Sequence, residues 1–134
     1  RKHGPPPAPL PVLATTAPDV YRTLHTATGM PDIPRPPPYA GQHPLVVVND
    51  RPIAPEKYAV VGHCCESADL LTSQPDDPEV VATRWLQRAE IGDALVIEGA
   101  GAYCASMSAH GYNSFPKTPA VLRRSNGQLV GLPN

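Results

Sequence analysis

The stretch "VVGHCCESADLL", Val60 to Leu71, gathers residue types that donate protons and hold cations: two thiols (Cys64, Cys65), two carboxylates (Glu66, Asp69) and a hydroxyl (Ser67). The apolar residues before them read as a strand ending near Gly62. If the backbone stays extended through Cys65, the two thiols point to opposite faces, one into the core and one into a cleft. Glu66 and Asp69 then fall at a rim, where solvated carboxylates are tolerated. From these residues alone, a strand end with one buried cysteine and exposed acids is a slightly better description than a site. Two further stretches carry chemistry. In "GAGAYCASMS", Gly99 and Gly101 let the backbone approach something closely, and Tyr103 can offer its phenol to an anion or cap a core. In "RPPPYAGQH", prolines hold Arg35 and Tyr39 at a fixed separation, and a guanidinium suits a carboxylate or phosphate. Surface Arg and Tyr in such a loop usually do nothing.

The elements that must position these residues are mostly strands. Residues 45–49, 58–63, 93–99 and 101–108 have short, apolar or alternating patterns, and 120–124 with 128–132 form a hairpin around the turn "SNG". One helix is expected from Asp77 to about Arg88. Asp77 caps it, Pro78 suits its first turn, and Val80, Val81, Trp85 and Leu86 fall near one stripe. The runs "GPPPAPLPV" and "MPDIPRPPPY" are expected to be extended or looped, and neither helix interior nor central strand. The first is better read as a tail or connector than as an SH3-type ligand. The stretch "DVYRTLHTATG" between them fits a strand or a short helix. The fold class is mainly β, an antiparallel barrel or sandwich with one short helical insertion. Residues 1–28 read as a proline-rich segment or connector and 29–134 as the β domain.

With 134 residues the chain is one domain's worth of material. A formal charge of −1 gives no field that favours nucleic acid or an anionic membrane. No apolar run approaches the roughly 20 residues that span a bilayer. No signal peptide is evident, and the first residue is not Met, so the chain is expected to be a fragment or a processed product. Three cysteines, two of them adjacent, make a poor disulfide framework, so the thiols are expected to be reduced and the protein cytoplasmic. No C-x-x-C pair exists and the histidines are scattered, so no metal site is expected.

The blocks "GMPDIPRPPPYAGQHP", "VVGHCCESADLL" and "IGDALVIEGAGAYCASMSAHGYNSFPKTPAVL" recur in this order in a known family. Over about residues 29 to 123 the sequence resembles the C-terminal β domain of the pyridoxal-phosphate-dependent decarboxylases with an alanine-racemase-like fold. Within that family it resembles the diaminopimelate decarboxylases. The features "GHCCES" and "YNSFP" look like a side branch acting on D-ornithine and D-lysine. Two departures stand out: His63 replaces the usual proline after Gly62, and Ala68 the usual glycine before Asp69.

The resemblance implies roles. Arg35 and Tyr39 would contact the substrate's distal polar end, and Tyr103 would border cofactor and substrate. Cys65 and Glu66 would reach into a partner subunit's site, Cys65 to protonate the carbon that loses carboxylate and Glu66 to touch the far amino group. An ordinary thiol, with a pKa of about 8.5, is mostly protonated at neutral pH and can serve. The family's cofactor, pyridoxal 5'-phosphate, is held by a lysine of a preceding α/β barrel. Lys2, Lys57 and Lys117 do not occupy such a position, so this chain alone is expected to be inactive. The expected partners are an amino-acid substrate and a second subunit, a homodimer or a full-length homologue. The competing reading is a non-catalytic remnant kept as a dimerisation or regulatory module.

Overall fold

The computed structural model describes residues 10–16, 21–34 and 41–133. Among the described residues ten strands follow one another: β1 (Leu10–Thr16), β2 (Arg22–Thr26), β3 (Leu45–Val48), β4 (Glu56–Val61), β5 (Ser73–Gln74), β6 (Asp77–Val81), β7 (Arg84–Leu86), β8 (Ala94–Ile97), β9 (Ala120–Arg123) and β10 (Leu129–Leu132). Six form one sheet in the order β3-β8-β1-β2-β4-β7. Its edge strands β3 and β7 approach each other, so the sheet nearly closes into a barrel. Every pairing is antiparallel except β2 with β4. Alternation supplies the core: Val47 on β3, Leu95 and Ile97 on β8, Leu24 on β2, and Tyr58 and Val60 on β4 all point inward. Burying each of these large side chains contributes roughly 1.5–3 kcal/mol. The Tyr58 phenol stays satisfied, donating to Glu56 Oε2 at 3.1 Å and accepting the Ala89 amide at 3.1 Å.

Three expectations need correction. The proline-rich start does enter a central strand, and residues 10–16 and 22–26, assigned above to the connector, are neighbouring strands of the sheet. Pro11 is tolerated because it lies at the strand's beginning, before an irregularity between Val12 and Ala14, and its carbonyl accepts the Ala27 amide at 3.1 Å. The helix over 77–88 does not form. A local bond from the Glu79 amide to Asp77 Oδ1 at 3.1 Å starts β6 instead, and β7 pairs with β4. The supposed apolar stripe is not buried: Leu86 is inside, but Trp85 is 66% exposed, its ring under the Lys57 ammonium. Residues 101–108 are not a strand either but lead into a 3₁₀ turn at Ala105–Met107. There Ser108 Oγ bonds the carbonyls of Asp32 and Cys104 rather than packing on a pleat.

The terminal hairpin forms as expected, with Gly127 supplying the positive φ of its turn. Among the described residues it pairs only with itself, and Val121, Leu122, Leu129 and Leu132 are exposed. No described helix is long and apolar enough to cross a membrane.

Candidate functional site

The chain leaves β4 at Val61 and returns opposite it at Leu70, making a closed excursion that carries Cys64, Cys65, Glu66 and Asp69. Asp69 ties it shut. Its carboxylate accepts the Met30 amide at 3.0 Å and the Cys64 amide at 2.8 Å, and the residue is only 4% exposed. A rim position for Asp69 is therefore wrong. The residue turns inward because two backbone amides need an acceptor there. Burial pushes its carboxyl above the usual value, and those two amides oppose the shift. Gly29 and Gly62 leave the room, since a Cβ on either would come within 2.4 and 2.0 Å of Asp69 Oδ2. Ala68 has no positive φ, so the departure from glycine costs no backbone strain.

Outside this knot lie the predicted pair. Cys65 is exposed and Glu66 half-buried. Glu66 Oε1 accepts the Ala68 amide and the Ser67 hydroxyl, both at 3.3 Å, and Oε2 accepts the Tyr112 hydroxyl at 3.0 Å. These bonds, the Ala68 amide foremost, hold its carboxyl below the usual range. The Cys65 amide donates to Asn113 Oδ1 at 3.2 Å. The chain bends over residues 63–65 instead of staying extended, so strand alternation does not set the two thiols as expected; Cys64 is half-buried. Burial, then the Asp69 charge, pushes its thiol up to about 11, so it stays neutral. Behind the excursion is a cleft of about 440 Å³ lined by His25, His63, Cys64, Glu66, Asp69 and Glu79. No cluster among the described residues has the makings of a metal site.

Tyr103 is 63% exposed, lifted outward by a φ of 64° that a non-glycine residue rarely adopts. The turn after it is anchored to the residues next to the Asp69 knot, through the Ala109 amide to the Met30 carbonyl at 3.2 Å. Arg35 and Tyr39 lie outside the described residues. Tyr112 and Asn113 were missed as site residues, although "YN" stood in the sequence block that carried the resemblance.

A pyridoxal-type cofactor would find an edge here rather than a seat. A Cβ added at Gly101 would meet open space, and Tyr103, two residues on, is exposed. The Lys57 ammonium, however, lies 5.4 Å from the Trp85 ring centroid, and Lys117 lines a separate cleft with Pro31 and Asp32. The described residues fit one wall of such a site.

A near-closed sheet thus carries, on the loops that leave it, an exposed thiol at Cys65, a half-buried carboxylate at Glu66 and an exposed phenol at Tyr103. Residues 11–101 match the family described as pyridoxal-dependent decarboxylase, C-terminal sheet domain, and the chain belongs to that family. It is 41% identical over 105 residues to diaminopimelate decarboxylase of Escherichia coli, covering 75% of this chain and 24% of that protein. It is 34% identical over 107 residues to the enzyme of the same name from Buchnera aphidicola, covering 76% and 25%. A solved diaminopimelate decarboxylase superposes with a TM-score of 0.82 at 31% identity over 92% of this chain and 30% of the other. The Helicobacter pylori enzyme, solved with L-lysine, superposes at 0.72 and 30% identity over 92% and 27%. The chain thus spans about a quarter of the length of the curated relatives it matches.

Proposed function

We propose that this chain is the β-domain portion of a pyridoxal-phosphate-dependent carboxy-lyase that releases CO2 from a basic or diamino acid, as its diaminopimelate decarboxylase relatives do. The observation that carries this is the outward-facing Cys65–Glu66 pair, held on a rigid excursion of a domain of this family. The cofactor, when bound, draws off the electron pair left by departing CO2. Its anchoring lysine would come from a part of the enzyme outside this chain. Cys65 would then deliver its S–H proton to that carbon, and the resulting thiolate would regain a proton from solvent. Glu66, kept ionised by its three donors, would take the substrate's distal ammonium. Arg35 and Tyr39 would orient the distal polar end, and Tyr103 would border the cofactor. Because Cys65 and Glu66 point away from their own core, the pocket they complete would belong to a second subunit. The unbridged neighbours Cys64 and Cys65 favour a reducing compartment, the cytoplasm.

The experiment grafts this chain in place of the matching quarter of the Escherichia coli enzyme and measures CO2 release from diaminopimelate. The graft should be active, and Cys65→Ala should lose about 100-fold or more in kcat. Wild-type rates from Cys65→Ala would remove the thiol from the reaction. An inactive graft that still dimerises would favour the module reading.

A further inference from the structure

The excursion does not set the geometry of Cys65 and Glu66 alone. Residues 48 and 46 positions further along the chain also bond them. We propose that the turn 111–114 is a positioning element for this pair: Asn113 fixes the backbone at Cys65, and Tyr112 fixes the Glu66 carboxylate. The inference rests on the role given to Cys65 and Glu66 above.

The geometry has three parts. Asn113 Oδ1 accepts the Cys65 amide at 3.2 Å, which sets where the thiol's Cα stands. The Tyr112 hydroxyl donates to Glu66 Oε2 at 3.0 Å. His63 and Phe115 stack with centroids 3.8 Å apart, pinning the excursion to the residue after the turn. This stack also gives the histidine that replaces proline a reason to be there.

The turn itself is strained. Gly111, Asn113 and Ser114 have φ values of 79°, 51° and 64°, and the last two lack glycine's freedom. Such conformations cost on the order of 1 kcal/mol or more each and persist where the surroundings hold them. A turn needed only to reverse the chain has cheaper solutions. This one spends its strain aiming consecutive side chains, Tyr112 and Asn113, at the functional pair.

Glu66 receives three donors, two from its own excursion and one from Tyr112. A carboxylate offers about four acceptor sites, so one remains for a ligand N–H. Tyr112 therefore decides which oxygen and which direction stay open. Its own phenol is held above its usual range, chiefly by the bond to Glu66, with the Cys64 and Cys65 thiols the other titratable groups facing it.

The test needs no catalysis. In the 134-residue chain, carbon-detected NMR follows the Glu66 carboxyl and the Tyr112 ring carbon bearing oxygen as pH is lowered. Both should move with one midpoint, and Tyr112→Phe should raise the Glu66 midpoint by about half a unit or more. Asn113→Ala should leave that midpoint in place and speed exchange of the Cys65 amide several-fold. A Tyr112 signal blind to Glu66, or a folded Tyr112→Phe chain with an unchanged midpoint, would overturn the proposal. If Tyr112→Phe does not fold, the wild-type coupling decides alone. Full activity in Cys65→Ala would instead sink the reaction scheme while leaving these titrations untouched, so the two failures are separable.

Discussion

Glu66 and Asp69 stand three residues apart on one excursion and meet opposite fates. Asp69 is enclosed, receives two backbone amides, and has its carboxyl raised by burial. Glu66 sits outside, receives an amide and two hydroxyls, and has its carboxyl lowered. The inward carboxylate is walled in by Gly29 and Gly62 and reached only by the fold's own amides. The outward one keeps capacity for something that arrives. A charged residue's neighbours, more than its type, separate structure from function here.

The largest expected effect breaks the inward side. Asp69→Ala leaves the Met30 and Cys64 amides without their acceptor, which costs about 3 kcal/mol. Calorimetry should show Tm lower by roughly 10 °C; a shift under about 2 °C would make Asp69 an ordinary surface acid. Next comes the space around it. Gly62→Ala sets a Cβ 2.0 Å from Asp69 Oδ2 and should cost about 2 kcal/mol in urea unfolding. Ala68→Gly, at a position without positive φ, should cost under about 1 kcal/mol. Equal effects from the two changes would contradict the packing account.

The thiols sharpen the comparison from the other side. Iodoacetamide at pH 8 should label exposed Cys65 first, while Cys64, neutral until pH nears 11, and buried Cys104 lag by about tenfold or more. Peptide mass spectrometry reads the order, and equal rates for Cys64 and Cys65 would contradict their difference in burial. The smallest effect is in acid. A carboxyl lowered by folding, like Glu66, adds stability that is present above its unfolded pKa and lost as pH falls through its folded value. One raised by folding, like Asp69, behaves oppositely, adding stability at low pH that is lost as pH rises through its folded value. Glu66→Gln should therefore flatten the acid-side decline in urea midpoints between pH 6 and 3, and Asp69 should not account for that decline.

The β-branched runs at 45–48 and 58–61 and the "SNG" hairpin were legible because their signals are local. So was the family, through blocks that keep their order across the chain. The segment 77–86 misled because capping residues and spaced apolar side chains fit a helix equally well. Pairing with β4, a contact remote in sequence, decided for strand. Pro11 misled in the same way, since only the neighbouring strands reveal that its carbonyl is the group in demand. The rim setting of Glu66 could be read from its place beyond the strand's end, but the bend at 63–65 and the Asp69 knot could not. Its partners, Met30, Gly29 and Gly62, flank it in space and not in sequence. Tyr112 and Asn113 were hidden for the same reason.

The central claim is that Cys65 works in a neighbour's pocket. In the grafted enzyme, one variant carries Cys65→Ala and another loses the cofactor lysine of the barrel; each alone should be inactive. Mixed and allowed to exchange subunits, they should recover about one quarter of wild-type CO2 release, because half the dimers are mixed and each mixed dimer has one intact site. No recovery, with exchange verified, would mean that the thiol serves its own subunit or serves no reaction at all.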